Sequence, residues 1–270
     1  MSRTEATPAT RAAKGRHRAG GNGCSQPRRR ASHSKAVVPV VAIGDVHGCA
    51  SLLEEVLEQH RGSGSELIFL GDLIDRSPEP DGDRQVLERI WALQRNPKRW
   101  GLAKVTVLRG NHEQMLLDAI RETIPGKATD LWLWNGGDLD LLPLAAEHRD
   151  WFEKLPYTAI RGNYLFVHAG VRPGVPLEEQ AKDDLIWIRK PFLSRHHGLP
   201  YTVVHGHSIT KNHQIDRRPG RINMDTGAFG SGVLSSLRLD PSLDGQKSRK
   251  VRSEGKTSSI SVKTVNQEEG

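Results

Sequence analysis

Three short polar blocks, each placed directly after an apolar run, constrain this chain more than any other feature. They read Gly44-Asp45-Val46-His47-Gly48, Gly71-Asp72-Leu73-Ile74-Asp75-Arg76 and Gly110-Asn111-His112-Glu113. Short apolar runs that end at a glycine are typical of buried strands, and helical patterns follow the blocks. Repeated strand–block–helix units predict an α/β fold with a mostly parallel first sheet, whose strand ends bring the blocks into one crevice.

The expected elements follow from hydrophobic periodicity and from local start signals. Strands are expected at residues 37–43, 66–70 and 104–108, and helices at residues 51–60, 83–95 and 112–121. Ser51 is the expected cap of the first helix. The second half contains more strand-like runs, at residues 159–160, 164–167, 202–204, 221–224 and 233–239. Short connections and glycine-rich turns in this half indicate a second, mixed sheet.

The basic character of the chain is concentrated at its two ends. Residues 1–36 contain nine Lys or Arg residues and one acidic residue, and residues 241–270 contain six basic and four acidic residues. These ends account for more than the whole formal net charge of +7. We therefore expect a disordered basic tail at 1–36, one domain at 37–240 and a disordered polar tail at 241–270. Nucleic-acid binding is not expected of the domain, and the N-terminal tail is expected to make at most weak, salt-sensitive contact.

Cysteine content and hydropathy predict a cytoplasmic protein without a membrane partner. The chain has two cysteines, Cys24 and Cys49, too few for a disulfide framework. No apolar run approaches the length of about 18 residues that spans a membrane, and the N-terminal segment lacks the apolar core of a secretory signal. A faint similarity of that Arg-rich segment to a transit peptide stands as an alternative. The sequence leaves the oligomeric state open.

Six side chains at the predicted strand ends form a candidate metal-ligand set. Asp45 and His47 are two residues apart in an extended segment, so both side chains point the same way. Such mixed oxygen and nitrogen donors suit Mn²⁺, Fe or Zn²⁺, and a carboxylate shared between two ions is the usual two-metal geometry. The complete set is Asp45, His47, Asp72, Asn111, His168 and His207.

Taken together and in this order, the blocks resemble those of the calcineurin-like metallophosphatase superfamily over roughly residues 40–230. The Asp75-Arg76 pair favours its phosphoprotein phosphatase branch, which includes bacteriophage lambda phosphatase and bacterial serine/threonine protein phosphatases. Gly206-His207-Ser208-Ile209 stands where broader phosphodiesterases of the superfamily usually have Gly-His-x-His. The resemblance implies a metallophosphatase-type β-sandwich of two mixed sheets flanked by helices.

The resemblance also implies residue roles. Asp45 and His47 would bind the first of two divalent metals, Mn²⁺ being the usual one, and Asp72 would bridge. Asn111, His168 and His207 would complete the second metal. His112 would be the general acid oriented by Asp75, and Arg76 and Arg189 would hold the phosphate. His titrates near neutral pH and a guanidinium matches phosphate oxygens, so the chemistry agrees with these roles.

The implied activity is hydrolysis of phosphoserine and phosphothreonine monoesters in proteins, with phosphotyrosine as an additional substrate in a dual-specificity form, by a hydroxide that the two metals activate. One alternative keeps the fold and makes diadenosine tetraphosphate the substrate, although the tetraphosphatases typically lack the Asp75-Arg76 pair. A second alternative, from another class, is a non-catalytic nucleic-acid-binding module. The intact ligand set argues against it, because a binding scaffold needs neither six ligands nor an acid.

Several other residues permit two interpretations. His205 is expected to support the site or to be exposed rather than to bind metal, and His196 and His197 are expected at the surface. Glu113 is expected to stabilise the start of its helix, with support of the site as an alternative. Cys49 is expected as a buried reduced thiol and Asp225 as a structural acceptor. Packing, with lining of the cleft as the alternative, is expected of Trp132, Trp134 and Trp151.

Overall fold

The computed structural model describes residues 38–124 and 126–241, and the two expected tails, apart from Pro241, lie outside them. The first sheet contains β1 (Val40–Ile43), β2 (Glu66–Phe69), β3 (Lys104–Val107) and β9 (Ser236–Leu239), in the order β3-β2-β1-β9. The first three strands are parallel, as expected, and β9 runs antiparallel to β1. β1 begins after Pro39, which has no backbone N–H to donate to a ladder.

Three long helices cover the outer face of this sheet. They are α1 (Ala50–His60), α2 (Gly82–Arg95) and α3 (Asn111–Arg121), within one residue of the expected ranges. The predicted apolar stripe of α1, from Leu52 to Leu57, is buried. The predicted cap was wrong: α1 begins at Ala50, and the backbone N–H and the hydroxyl of Ser51 donate to Glu79.

The second sheet is mixed and has five strands. These are β4 (Thr158–Arg161), β5 (Tyr164–Val167), β6 (Thr202–His205), β7 (Asp216–Arg218) and β8 (Arg221–Asn223), in the order β4-β5-β6-β8-β7. β5, β6 and β8 are parallel, and the two edge strands run antiparallel to their neighbours. Apolar side chains from both sheets, among them Ile68, Leu70, Phe166 and Val204, form the buried layer of a sandwich.

Shorter helices complete the structure. They are α4 (Lys127–Trp134), α5 (Leu142–Glu147), α6 (Arg149–Glu153), α7 (Lys182–Trp187) and α8 (Ala228–Ser231). Single 3₁₀ turns occur at Pro97–Trp100, Leu139–Leu141, Leu177–Glu179 and Phe192–Ser194. The α4–α6 segment packs on α3 through Trp132 and Phe152, which are fully buried.

Two features of the topology differ from expectation. The C-terminal strand, expected from residue 233 with the strand-rich half, begins at Ser236 and joins the first sheet. The edge strand β7 has the sequence Asp-Arg-Arg and carries no apolar alternation that sequence patterns could detect. None of the helices in residues 38–124 and 126–241 is both long and apolar enough to cross a membrane.

Candidate active site

The candidate ligands from both sheets meet in one cavity of about 270 Å³. Its wall includes Asp45, His47, Asp72, Asn111 and His207, all buried. His168, the sixth candidate, is fully buried beside this wall, with Nε2 2.9 Å from Asn111 Oδ1. Because the ligands follow strands whose carboxyl ends share one edge, residues far apart in sequence converge there.

Asp72 lies between two groups of potential metal ligands. Its carboxylate belongs to the group His47, Asp72 and His112 and also to the group Asp72, His168 and His207, with ligand atoms within 4.8 Å of one another in each. Asp72 Oδ2 is 3.7 Å from His47 Nε2, and Asp72 Oδ1 is 3.3 Å from His168 Nε2. This is the arrangement expected of a carboxylate that bridges two ions.

The imidazole rings are oriented by backbone carbonyl groups. His47 Nδ1 lies 2.9 Å from the carbonyl oxygen of Ile74, and His168 Nδ1 lies 3.0 Å from that of Leu70. Each Nδ1–H donates to its carbonyl, which leaves Nε2 directed at Asp72. Metal-binding histidines characteristically use this second contact to fix the tautomer and the ring plane.

Two buried polar atoms of the site have no partner among the described residues: Asp45 Oδ1 and His207 Nε2. Buried polar atoms are nearly always satisfied, so unpaired ones at a cavity wall are suited to bind a ligand. The other oxygen of Asp45 accepts the backbone N–H of His207 at 2.9 Å, which joins the loops of the two sheets. The donor set therefore fits divalent metal ions, with Asp45 in the same cavity but outside the two tight groups.

Burial and neighbouring charges shift the pKa values of these groups in opposite directions. Burial lowers the pKa of His47 to about 3, and the same cause lowers that of His207 to about 3. Burial would also lower the pKa of His168, but the Asp72 carboxylate offsets it and raises the value to about 9. Burial, followed by Asp225, raises the pKa of Asp45 well above its usual range. Neutral His47 and His207 are in the form that metals require.

Strained backbone is concentrated at this site. Seven non-glycine residues in the described ranges have positive φ, and five of them are His47, Asp72, Asp75, Arg76 and His207. Each such conformation costs on the order of 1–3 kcal/mol and persists only where the surroundings enforce it. Gly110 and Gly206 allow the loops to approach closely, because a Cβ on them would collide with Asp72 Oδ1 and Asp45 Oδ1 respectively.

Glu113 joins the second and third blocks. Its carboxylate accepts the backbone N–H groups of Gly110 and Asp72, at 2.8 and 2.9 Å, and that of Leu73 at 2.7 Å. The contact with Gly110 caps α3, and the other two hold the strained turn that presents Asp72. The carboxylate of Glu113 thus both caps the helix and supports the site, the two roles that the sequence suggested for it.

His112 has the geometry of a proton donor at the cavity. Its Nδ1 donates to Asp75 Oδ2 at 2.6 Å, and its Nε2 lies 3.9 Å from Asp72 Oδ2. Asp75 is fully buried and accepts the indole N–H of Trp132 at 2.9 and 3.0 Å on its two oxygens. Burial would lower the pKa of His112, but Asp72 and Asp75 offset it and raise the value above its usual range.

Two guanidinium groups line the same cavity. Arg76 is held by a donor bond from Nε to the carbonyl oxygen of Asn135, at 3.2 Å. Arg189 Nη2 lies 3.4 Å from the carbonyl oxygen of His207. The structure therefore brings all ten sequence-predicted site residues to one place. Asn135, Trp187 and Ile209 also line the cavity, and only their positions in space reveal it.

The structure shows the environment of each residue for which the sequence permitted two interpretations. His205 is buried, its Nδ1–H donates to the carbonyl oxygen of Gly206 at 3.0 Å, and it is not part of the cavity wall. His196 is exposed as expected, but the surface expectation was wrong for His197, whose Nε2 is 2.9 Å from Gly220 O. Cys49 is a free, buried thiol. Asp225 accepts the N–H of Gly227 and also lines the cavity.

The three tryptophans differ in environment. Trp132 is fully buried and packs as expected, and Trp151 is partly buried, with Nε1 donating to Gln94 at 2.7 Å. The prediction that Trp134 packs against other residues was wrong, because its side chain is 89% exposed. The pattern missed the contact between Trp132 and Asp75, because nothing in the sequence relates residues 57 positions apart.

Fold and site together define a metal-dependent phosphoester hydrolase, and comparison with known proteins agrees. The model of the calcineurin-like phosphoesterase family matches residues 38–227. The chain belongs to this family, which confirms the resemblance and the two-sheet fold. A putative diadenosine tetraphosphatase of known structure superposes with a TM-score of 0.55 at 24% identity, over 76% of this chain and 90% of that one.

Two bacterial relatives match over most of their lengths. Serine/threonine-protein phosphatase 1 of Salmonella typhimurium is 31% identical over 219 residues, 74% of this chain and 91% of that protein. Serine/threonine-protein phosphatase 2 of Escherichia coli is 30% identical over 222 residues, with 73% and 91% covered. A symmetrical bis(5'-nucleosyl)-tetraphosphatase of Janthinobacterium is 30% identical over 138 residues, only 49% of this chain and 43% of that protein.

Proposed function

We propose that this protein is a metal-dependent phosphomonoesterase that acts on phosphoserine and phosphothreonine in proteins. The carrying observation is that Asp72 is shared by two groups of metal ligands, while His112, held by Asp75, lines the same cavity. The substrate class is supported by two protein phosphatase relatives, each covered over 91% of its length.

Asp45, His47 and Asp72 would hold the first metal, and Asp72, Asn111, His168 and His207 the second. Divalent ions bound there lower the pKa of water and neutralise charge on the phosphoryl oxygens. We propose Mn²⁺ for both, because it is the usual ion of the bacterial phosphatases that the sequence resembles and because it suits a mixed set of oxygen and nitrogen donors. Fe and Zn²⁺ suit the same donors and are the competing ions in any loading experiment.

The chain's own residues position the substrate and supply a proton. Arg76 and Arg189 line the cavity, and each guanidinium can donate two parallel hydrogen bonds to phosphoryl oxygens. His112 Nε2 would protonate the departing alkoxide oxygen, while Asp75 at Nδ1 stabilises the imidazolium before transfer. The buried contact of Asp75 with Trp132 keeps this carboxylate in place.

The competing substrate is a dinucleoside polyphosphate. The tetraphosphatase relatives support it less, since the Janthinobacterium protein matches only about half of this chain. The test compares hydrolysis of a phosphothreonine peptide, a phosphotyrosine peptide and diadenosine tetraphosphate by chain stripped of metal and reloaded with Mn²⁺. Faster phosphate release from the phosphothreonine peptide is expected. Faster nucleotide cleavage would overturn the proposal.

We further propose a cytoplasmic location, which the buried, unpaired thiol of Cys49 supports. Fractionation of cells that express the full chain should recover the protein with cytoplasmic markers. Recovery with an organelle would instead support the transit-peptide alternative for the N-terminal segment.

A further inference from the structure

A second cavity, of about 360 Å³, lies beside the catalytic one and is formed by the loop that follows β6 together with β7 and β8. We call it the Lys211 groove and define it by Ser208, Thr210, Lys211, Arg218 and Arg221. Ile209, half exposed, lines both cavities, so a substrate that leaves the catalytic cavity past Ile209 enters the Lys211 groove.

Positive charge exceeds negative charge in the Lys211 groove. Three cationic side chains line it, and Asp216 is the one carboxylate among its lining residues. Arg218 Nε lies 2.9 Å from Asp216 Oδ1, and Arg221 Nη1 lies 3.8 Å from Asp216 Oδ2. The single carboxylate of Asp216 thus faces two guanidinium groups. Each guanidinium has five N–H donors, more than this carboxylate can accept.

Lys211 has no counter-ion among the residues that the structure describes. It is exposed and makes no ion pair or hydrogen bond within residues 38–124 and 126–241. Burial lowers the pKa of the half-buried Arg221, Asp216 partly restores it, and Arg218 lowers it further. The groove therefore holds positive charge that an added anion would stabilise.

Two hydroxyl groups of the groove are also unsatisfied. Ser208 Oγ and Thr210 Oγ1 are buried and have no hydrogen-bond partner among the described residues. The backbone of Thr210 is fixed, since its N–H donates to the carbonyl oxygen of Asp225 at 2.9 Å. This is the same signature that Asp45 Oδ1 and His207 Nε2 show at the candidate metal site. Hydroxyl donors from residues that line the same groove as two guanidinium groups suit a carboxylate or phosphate oxygen.

We propose that the Lys211 groove binds an anionic side chain of the phosphoprotein substrate, close in sequence to the phosphorylated residue. The inference rests on the proposed function, and it narrows the substrate class to phosphopeptides with an acidic neighbour. A carboxylate and a second phosphate present the same oxygen chemistry to the groove. None of the six candidate metal ligands lines the Lys211 groove. The groove would therefore affect which peptides are bound and not the chemistry at the metals.

The test is a scan of phosphothreonine peptides in an alanine background. A single Glu is moved through each of the five positions on either side of the phosphothreonine, and kcat/KM is measured with Mn²⁺-loaded full-length protein. One or two adjacent registers should raise kcat/KM about fivefold over the all-alanine peptide, and the gain should shrink in 0.5 M salt. A second phosphothreonine in the best register distinguishes a phosphate from a carboxylate preference.

Lys211→Ala should reduce the gain to about twofold or less, and Lys211→Glu should reverse it, so that a Lys in the same register is favoured. Lys98→Ala is the matched control, because Lys98 is an exposed lysine outside both cavities. Thr210→Val should reduce the gain as well while raising the Tm of the unliganded protein, because it removes an unsatisfied hydroxyl.

The outcomes separate the two proposals. If para-nitrophenyl phosphate is hydrolysed and no peptide is, the protein phosphatase proposal fails. If the all-alanine peptide is hydrolysed and no Glu position raises kcat/KM, or if Lys211→Ala keeps the full gain, only the Lys211 groove inference is overturned.

Discussion

His112 Nδ1 lies 2.6 Å from Asp75 Oδ2, and neither side chain is accessible to solvent. Such a short, buried contact fixes the ring so that Nε2 is the only nitrogen that can face a substrate in the cavity. The carboxylate in turn receives the indole N–H of Trp132. These three residues, from α3, α4 and the loop after β2, thus form one hydrogen-bonded chain that ends at the candidate general acid.

His112→Asn should lower kcat on an alkyl phosphate monoester by about a hundredfold, because general acid catalysis typically contributes a factor of this order. The loss on para-nitrophenyl phosphate should stay below about tenfold, since nitrophenolate leaves with little protonation. Steady-state kinetics on both substrates measure the difference. His196→Asn, at an exposed histidine outside the cavity, is the control. Equal losses on both substrates would rule out the acid role.

Trp132→Phe should lower kcat on the alkyl phosphate severalfold and destabilise the protein by about 2 kcal/mol, because a buried carboxylate loses a donor. The measurements are the ratio of the two substrates' rates and denaturant unfolding. Trp151→Phe is a matched control, since it removes an indole donor to Gln94 away from the site. A stability loss with an unchanged substrate ratio would reduce Trp132 to a packing residue.

Glu113→Gln should weaken Mn²⁺ binding about 10–100-fold, the usual effect of losing a group that orients a metal ligand. The amide can accept only with one of its terminal atoms, so it cannot satisfy the three N–H groups of Gly110, Asp72 and Leu73. Titration calorimetry on metal-stripped protein measures the affinity. Glu88→Gln, at an exposed position on α2, should leave it unchanged. Unaltered affinity in Glu113→Gln would limit Glu113 to capping α3.

The site could be predicted from the sequence more completely than the strand topology could. Strand ends in the sequence located the six candidate metal ligands, because parallel strands must end at a common edge, and the family resemblance supplied Asp75, Arg76, His112 and Arg189. Asp72 and His207 could be placed from local patterns alone. The position of β9, the polar edge strand β7 and the burial of His197 depend on contacts across the fold, such as the one between His197 and Gly220. Local periodicity carries no information about such partners.

A contact between the sheets provides a pH-dependent test of the sandwich itself. Glu66 on β2 accepts two bonds of 2.7 Å from Nε and Nη2 of Arg161 on β4, and it also accepts the hydroxyl of Thr106. Burial raises the pKa of Glu66, but the contacts with Arg161 and Thr106 more than offset it and lower the value below its usual 4.5. A carboxyl group with a lowered folded pKa contributes stability above its unfolded pKa and loses it as the pH falls through the folded value.

Glu66→Gln should therefore lower the free energy of unfolding by about 2 kcal/mol at pH 7, the size expected for a charge-assisted, bidentate contact. The difference from the wild type should persist down to about pH 4.5 and shrink below it, as Glu66 becomes protonated in the wild type as well. Urea unfolding of metal-stripped protein between pH 3 and pH 7 measures this, with Glu55→Gln on the exposed face of α1 as the control. A difference that stays constant down to pH 3 would show that shape, and not the ionised carboxylate, accounts for the stabilisation by Glu66.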